Sequence, residues 1–105
     1  MKIKLANDEN SLYITGLTRG LNTYLNNENE EIVQYNSVSI KIEGTQSNTY
    51  ELAKDFFENK DLSVIHIYNN NDQLLFTLSG KKVESITQSV DDIRSITYIV
   101  IILND

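Results

Sequence analysis

Cysteine and proline are both absent from this sequence of 105 residues, and histidine occurs only once. Without cysteine the chain has no disulfide framework, no thiolate metal site and no cysteine nucleophile. Without proline, nothing blocks strand pairing or imposes a rigid linker. The longest apolar stretch, Tyr98 to Leu103, suits a strand and is far shorter than the ~18 residues that mark a membrane-spanning helix. These absences disfavour disulfide-rich, thiol-dependent and membrane-spanning classes of protein.

The formal net charge is −6, which disfavours a nucleic-acid partner. Lysine and arginine contacts to phosphate supply most of the affinity for nucleic acids, so an acidic chain is a poor candidate. A net negative charge keeps a protein soluble, and this is sufficient to explain the value of −6. Residues 1–6 contain two lysines but no following apolar core, so we expect no secretory signal and a cytoplasmic location. The length predicts a single small domain over residues 1–105.

Residues 62–103 predict a C-terminal β-meander. Runs rich in Ile, Val, Leu, Tyr and Thr alternate there with short breaks rich in Asn, Asp, Gly or Lys. Segment 83–90 has a polar face, as an edge strand would. Segment 96–103 is apolar on both faces. That last strand is therefore expected to be central, and to be covered on both sides or by a neighbouring subunit.

The first half of the chain predicts shorter extended elements. Residues 2–6 and 11–15 are expected to form an opening hairpin, and residues 32–43 alternate like a half-buried strand. Residues 16–27 carry apolar side chains at helical spacing together with poor helix formers such as glycine and asparagine. We expect extended or irregular structure there, followed by a polar, acidic loop over residues 26–31.

One helix is predicted, over about residues 49–59. Asn48 or Thr49 can cap it, and Glu51 stands three residues after Asn48, as in a capping box. Its apolar stripe contains Tyr50, Leu52, Ala53, Phe56 and Phe57. The expected fold class is therefore α+β: a predominantly antiparallel sheet of about six strands, with one amphipathic helix packed on a face.

Asparagine is unusually common, with thirteen residues that include the run 69–71. Asparagine tolerates left-handed backbone angles and bonds to its own turn, so its abundance predicts turns. An AT-rich genome would also enrich asparagine, because its codons are AAT and AAC. The sequence leaves both explanations open. Residues 69–72 suit a four-residue hairpin connection.

His66 is the only side chain whose unperturbed pKa lies near neutrality. It alternates with Val64 and Tyr68 in a predicted strand, and no sequence feature identifies a partner for acid or base catalysis. A packed or edge histidine is the favoured interpretation. We expect no catalytic residue.

No motif for a metal or a phosphate stands out. The carboxylates at 91–92 and 28–31 lack the spacing of a calcium loop. The glycine-containing segments 16–20 and 79–82 lack the patterns that cradle phosphates. Turns and solvated loops account for all four segments, so we expect no metal and no cofactor.

Three features carry a resemblance to a broad class of proteins: the opening residues 1–5, the abundance of asparagine, and the strand–turn–strand unit 65–76 before a sheet-ending strand. In these features the C-terminal half resembles small phage and prophage proteins of low-GC Gram-positive bacteria, of the tail or head–tail accessory type. The resemblance implies a non-enzymatic structural role, and incorporation into a virion.

The leading functional hypothesis is an assembly module that oligomerises, or docks onto another protein of an assembly, through its sheet. The expected contact is the face of the last strand that carries Tyr98, Val100 and Ile102. The alternative is a small acidic inhibitor of a host protein such as a defence nuclease. Its expected contact residues are Glu28, Glu30, Glu31, Glu51, Asp55 and Glu58.

Overall fold

Strands dominate the computed structural model of this protein, which describes residues 1–44 and 48–105, with the side chains at 22–24 and 33–36 left out of the description. The strands are β1 (Lys2–Leu5), β2 (Ser11–Tyr13), β3 (Gly16–Leu25), β4 (Glu31–Gly44), β5 (Val64–Tyr68), β6 (Leu74–Ser79), β7 (Lys82–Asp91) and β8 (Ile96–Asn104), and the helix is α1 (Thr49–Phe57).

The strands form two four-stranded sheets. The first sheet has the order β2-β1-β5-β6 and the second has the order β3-β4-β8-β7. Every pairing is antiparallel. The predicted class, α+β with mostly antiparallel strands and one helix, is confirmed, although the described residues contain eight strands in two sheets. The opening hairpin, the edge position of β7 and the central position of β8 are also as predicted.

One hydrophobic core lies between the two sheets. One face of each sheet and one side of α1 supply it, and α1 packs against β7 and β8. Side chains that alternate along a strand point to opposite faces, so each strand gives every second residue to the core. Among the described side chains, the buried apolar residues are Ile3, Leu5, Ile14, Val38, Ile40, Ile42, Ala53, Phe56, Phe57, Ile65, Ile67, Leu78, Ile99, Ile101 and Leu103. The two sheets are thus stacked face to face.

The predicted meander is divided between the sheets. Hairpin β5–β6 belongs to the first sheet and hairpin β7–β8 to the second. The change of sheet occurs at Gly80, whose φ of 64° is left-handed and whose N–H donates to the Ser63 carbonyl at 3.0 Å. Lys81 follows, nearly buried, with its Nζ 2.5 Å from Asp105 Oδ1. Each break in this region is rich in turn residues, so the sequence does not show which break changes sheet.

Asparagine builds the turns of two hairpins in the same way. Asn26 Oδ1 accepts hydrogen bonds from the N–H groups of Glu28 and Glu30, each at 2.9 Å. Asn29 then adopts a left-handed φ of 62°. The β5–β6 turn repeats this arrangement around Asn69, whose Oδ1 accepts two main-chain N–H groups at 2.9 and 3.0 Å. These asparagines therefore form turns, as their residue type predicts.

The helix begins as predicted at Thr49, but its predicted capping box is wrong. Asn48 has φ −98° and ψ 12°, outside the extended region that a capping side chain needs, and it makes no side-chain cap hydrogen bond. At the other end, the N–H of Glu58 donates to the Lys54 carbonyl at 2.9 Å, and Asn59 turns the chain with φ 55°. Leu52, predicted in the apolar stripe, is 50% exposed.

We predict that Phe56→Ala lowers the free energy of unfolding by about 3–5 kcal/mol, because it leaves a cavity in the core. Phe56 is 8% exposed. Leu52→Ala, on the same helix, is the matched control and should cost less than about 1 kcal/mol. Urea denaturation measures both values, and equal losses would contradict the orientation of α1.

We also predict that Asn69→Ala lowers the free energy of unfolding by about 1–2 kcal/mol, because two main-chain N–H groups lose their acceptor. Asn71→Ala, in the same turn, is the control, since Asn71 contributes its main-chain N–H to this network. Thermal unfolding followed by circular dichroism compares them. A control as destabilised as Asn69→Ala would refute this role of Asn69.

Candidate interaction surface

The two faces of β8 differ in what covers them. Ile99, Ile101 and Leu103 are fully buried against the core, under the first sheet and α1. Tyr98, Val100 and Ile102 point the other way and are only half-buried. The strand is thus apolar on both faces, as predicted, and the described part of the chain leaves the outward face partly open to solvent.

The strand register defines the surface around these three residues. Tyr98, Val100 and Ile102 are opposite polar residues of β4 on one side and of β7 on the other. We call this surface the outer face: Ser39, Lys41, Glu43, Ser85, Thr87, Ser89, Tyr98, Val100 and Ile102. Beyond β4, Gly16 and Gly20 of β3 pair with β4 on the same side. Most of the residues around the apolar centre are therefore small: serine, threonine and glycine.

The charges on the outer face balance each other. Lys41 Nζ lies 3.0 Å from Glu43 Oε1 and 5.4 Å from the centroid of the Tyr98 ring, a cation–π distance. The polar side of β4 was visible in the sequence as an alternation. The sequence did not show that this side of β4 lies beside β8, because the register between distant strands leaves no local signal.

The acidic residues of the alternative hypothesis do not form one surface. Glu28, Glu30 and Glu31 lie at the β3–β4 turn. Glu51 and Asp55 lie on the exposed side of α1, and Glu58 directly follows the helix. All six are exposed. The 14 residues of β4 separate the two sets, a distance of about 45 Å along an extended strand. A single contact with a host protein would therefore use one set or the other.

His66 lies on the outward side of β5, half-buried, beside Tyr68. Its Nδ1 is 3.1 Å from Thr77 Oγ1 on the neighbouring strand. The predicted position, in a strand with Val64 and Tyr68, is confirmed. A hydroxyl partner supports packing and gives no carboxylate–histidine pair for acid–base chemistry.

Within residues 1–44 and 48–105, no three His, Cys, Asp or Glu side chains are grouped so that they could hold a metal ion. No helix in the same residues has the length and apolar character needed to cross a membrane.

An ion pair joins β1 to the β5–β6 turn. The Lys2 ammonium group donates to the Asp72 carboxylate. This hydrogen bond and the positive charge of Lys2 hold the pKa of Asp72 below its ordinary value of 3.8. The pKa of Asp8 is lowered chiefly by the N–H of Asn10, and that of Asp61 by the N–H of Ser63.

These lowered pKa values predict an acid-sensitive fold. A carboxyl group whose pKa is lower in the folded state contributes stability above its unfolded pKa, near 3.8, and this stability is lost as the pH falls toward the folded pKa. Denaturation curves below about pH 4 should show the loss. Asp72→Asn keeps a residue that tolerates φ 61° and should flatten the profile. Exposed Asp92→Asn is the control, and an unchanged profile in Asp72→Asn would contradict the role of this pair.

A scan of protein-family models found no matching family, and searches of curated proteins and of solved structures found no match.

Proposed function

We propose that this protein is a non-enzymatic assembly module that self-associates through its outer face. The observation that carries the proposal is the outward, half-buried row Tyr98, Val100 and Ile102 on a central strand. Contiguous apolar surface on a soluble protein commonly marks a contact with another molecule. A contact over Tyr98, Val100 and Ile102 would cover β8 on its second side.

A second copy of the chain suits the outer face in shape. Two sheets stack face to face about 10 Å apart when the side chains of their facing surfaces interdigitate. The serine and threonine neighbours of the apolar row, together with Gly16 and Gly20 on β3, allow this approach. Most homo-oligomers are two-fold symmetric and use the same patch on both subunits.

The charges favour the outer face over other surfaces as the contact between two copies. Each chain carries a net charge of −6, so two copies repel each other over most of their surfaces. The outer face carries Lys41 and Glu43, whose charges cancel. A two-fold axis across the strands can place Lys41 of one copy against Glu43 of the other. The resemblance of the C-terminal half to phage tail and head–tail accessory proteins supports an assembly role as well.

Sedimentation equilibrium of the purified chain tests the proposal. We expect a species of twice the 12.0 kDa mass of one chain. Val100→Lys should give the monomer, because a charge placed at the centre of an apolar contact must be desolvated. Val64→Lys is the matched control: Val64 is also half-buried and outward on a central strand, but of the first sheet. It should remain dimeric.

Circular dichroism should show that both variants are folded. A wild-type chain that stays monomeric at its highest soluble concentration would overturn the proposal. A Val100→Lys variant that associates as strongly as the wild type would also overturn it, because the contact would then lie elsewhere.

A further inference from the structure

A groove of about 680 Å³ lies between β2, α1 and the end of β4. Its apolar lining includes Leu12, Ile42 and Phe56, all packed in or against the core. Leu52 of α1 also lines it and is 50% exposed, so an apolar side chain of the helix faces an open space. Pockets with an apolar lining and a few polar groups are typical binding sites.

One wall of the groove is an unpaired strand edge. β2 is the last strand of the first sheet, and only β1 pairs with it in the described part of the chain. The Ile14 N–H donates to the Met1 carbonyl at 2.9 Å. In an antiparallel pair, every second residue bonds to the partner strand, so Leu12 also directs its N–H and C=O groups toward β1. The N–H and C=O groups of Ser11 and Tyr13 therefore point away from β1, on the free side of β2.

The charges near the groove are mainly negative. Asp8, Glu43, Asp55 and Lys60 all line it. Lys60 pairs with Asp8 at 3.3 Å and Glu43 pairs with Lys41 at 3.0 Å. Asp55 makes no ion pair with another described residue and is exposed on α1. A ligand with a positive charge beside an apolar group would complement this arrangement.

We propose that this groove binds an extended peptide segment of a partner protein, one that adds a strand to the free edge of β2. The main chain of the peptide pairs with Ser11 and Tyr13. Alternate apolar side chains enter the groove against Leu52 and Phe56, and a Lys or Arg side chain meets Asp55. Main-chain pairing supplies affinity in this mode of recognition, and the pockets for alternate side chains supply specificity. The site adjoins the proposed self-association face at Glu43, whereas Leu52, Asp55 and Phe56 lie outside that face.

The probe is a library of random ten-residue peptides selected against the immobilised full chain. We expect enrichment of peptides with alternating apolar residues and at least one Lys or Arg. Leu52→Asp should weaken the selected peptides about tenfold or more, since a buried leucine contact is of that order. Leu75→Asp is the matched control, because Leu75 is 49% exposed but lies on β6, the other edge strand of the first sheet.

Amide hydrogen exchange tests the strand pairing directly. Bound peptide should slow exchange at the amides of Ser11 and Tyr13 and leave that of Leu12 nearly unchanged, because Leu12 already faces β1. Leu52→Asp should keep the mass of the wild-type species in sedimentation, which separates this site from the outer face. The proposal is overturned if no peptide family is enriched, if Leu52→Asp and Leu75→Asp bind equally, or if the two β2 amides are not protected.

Discussion

The structure depends on one constraint: each sheet must bury a single apolar face, and the two buried faces must meet. Ile99, Ile101 and Leu103 of β8 meet this requirement together with Ile3, Ile65 and Ile67 across the core. Helix α1 adds two phenylalanines in edge-to-face contact, with ring centroids 5.1 Å apart. The polar side of most strands then faces solvent. β8 is apolar on its second side as well, and this is why we propose the outer face as a contact surface.

The two proposed surfaces arise from different kinds of incompleteness. The outer face has complete main-chain pairing at its centre but apolar side chains that are still partly exposed. The groove has an apolar lining beside β2, whose main chain pairs on one side only within residues 1–44 and 48–105. The first suits a flat, symmetric partner and the second suits an extended chain. The two surfaces meet at β4, where Glu43 belongs to the outer face and also lines the groove.

Local patterns in the sequence were sufficient to predict the helix and the strands in which apolar and polar residues alternate. Val38, Ile40 and Ile42 show their buried side by spacing alone, and β8 shows that both of its sides are apolar. The arrangement of strands in two sheets was not predictable, because Gly80 resembles any other turn residue in the sequence. The capping box failed for a related reason: the residue types were suitable, but the backbone of Asn48 was not extended. The groove was missed because β2, β4 and α1 meet only in the folded chain.

The strand pairings also determine how this chain reaches its folded state. β1 pairs with β5, where Lys2 is opposite Tyr68, and β4 pairs with β8, where Val38 is opposite Leu103. Both pairings join segments about 65 residues apart, so each closes a long loop before its contacts are gained. Folding should therefore be slow for a chain of this size. During synthesis the second sheet cannot be completed until β8 has left the ribosome. Until then, β4 lacks the neighbouring strand that completes its burial.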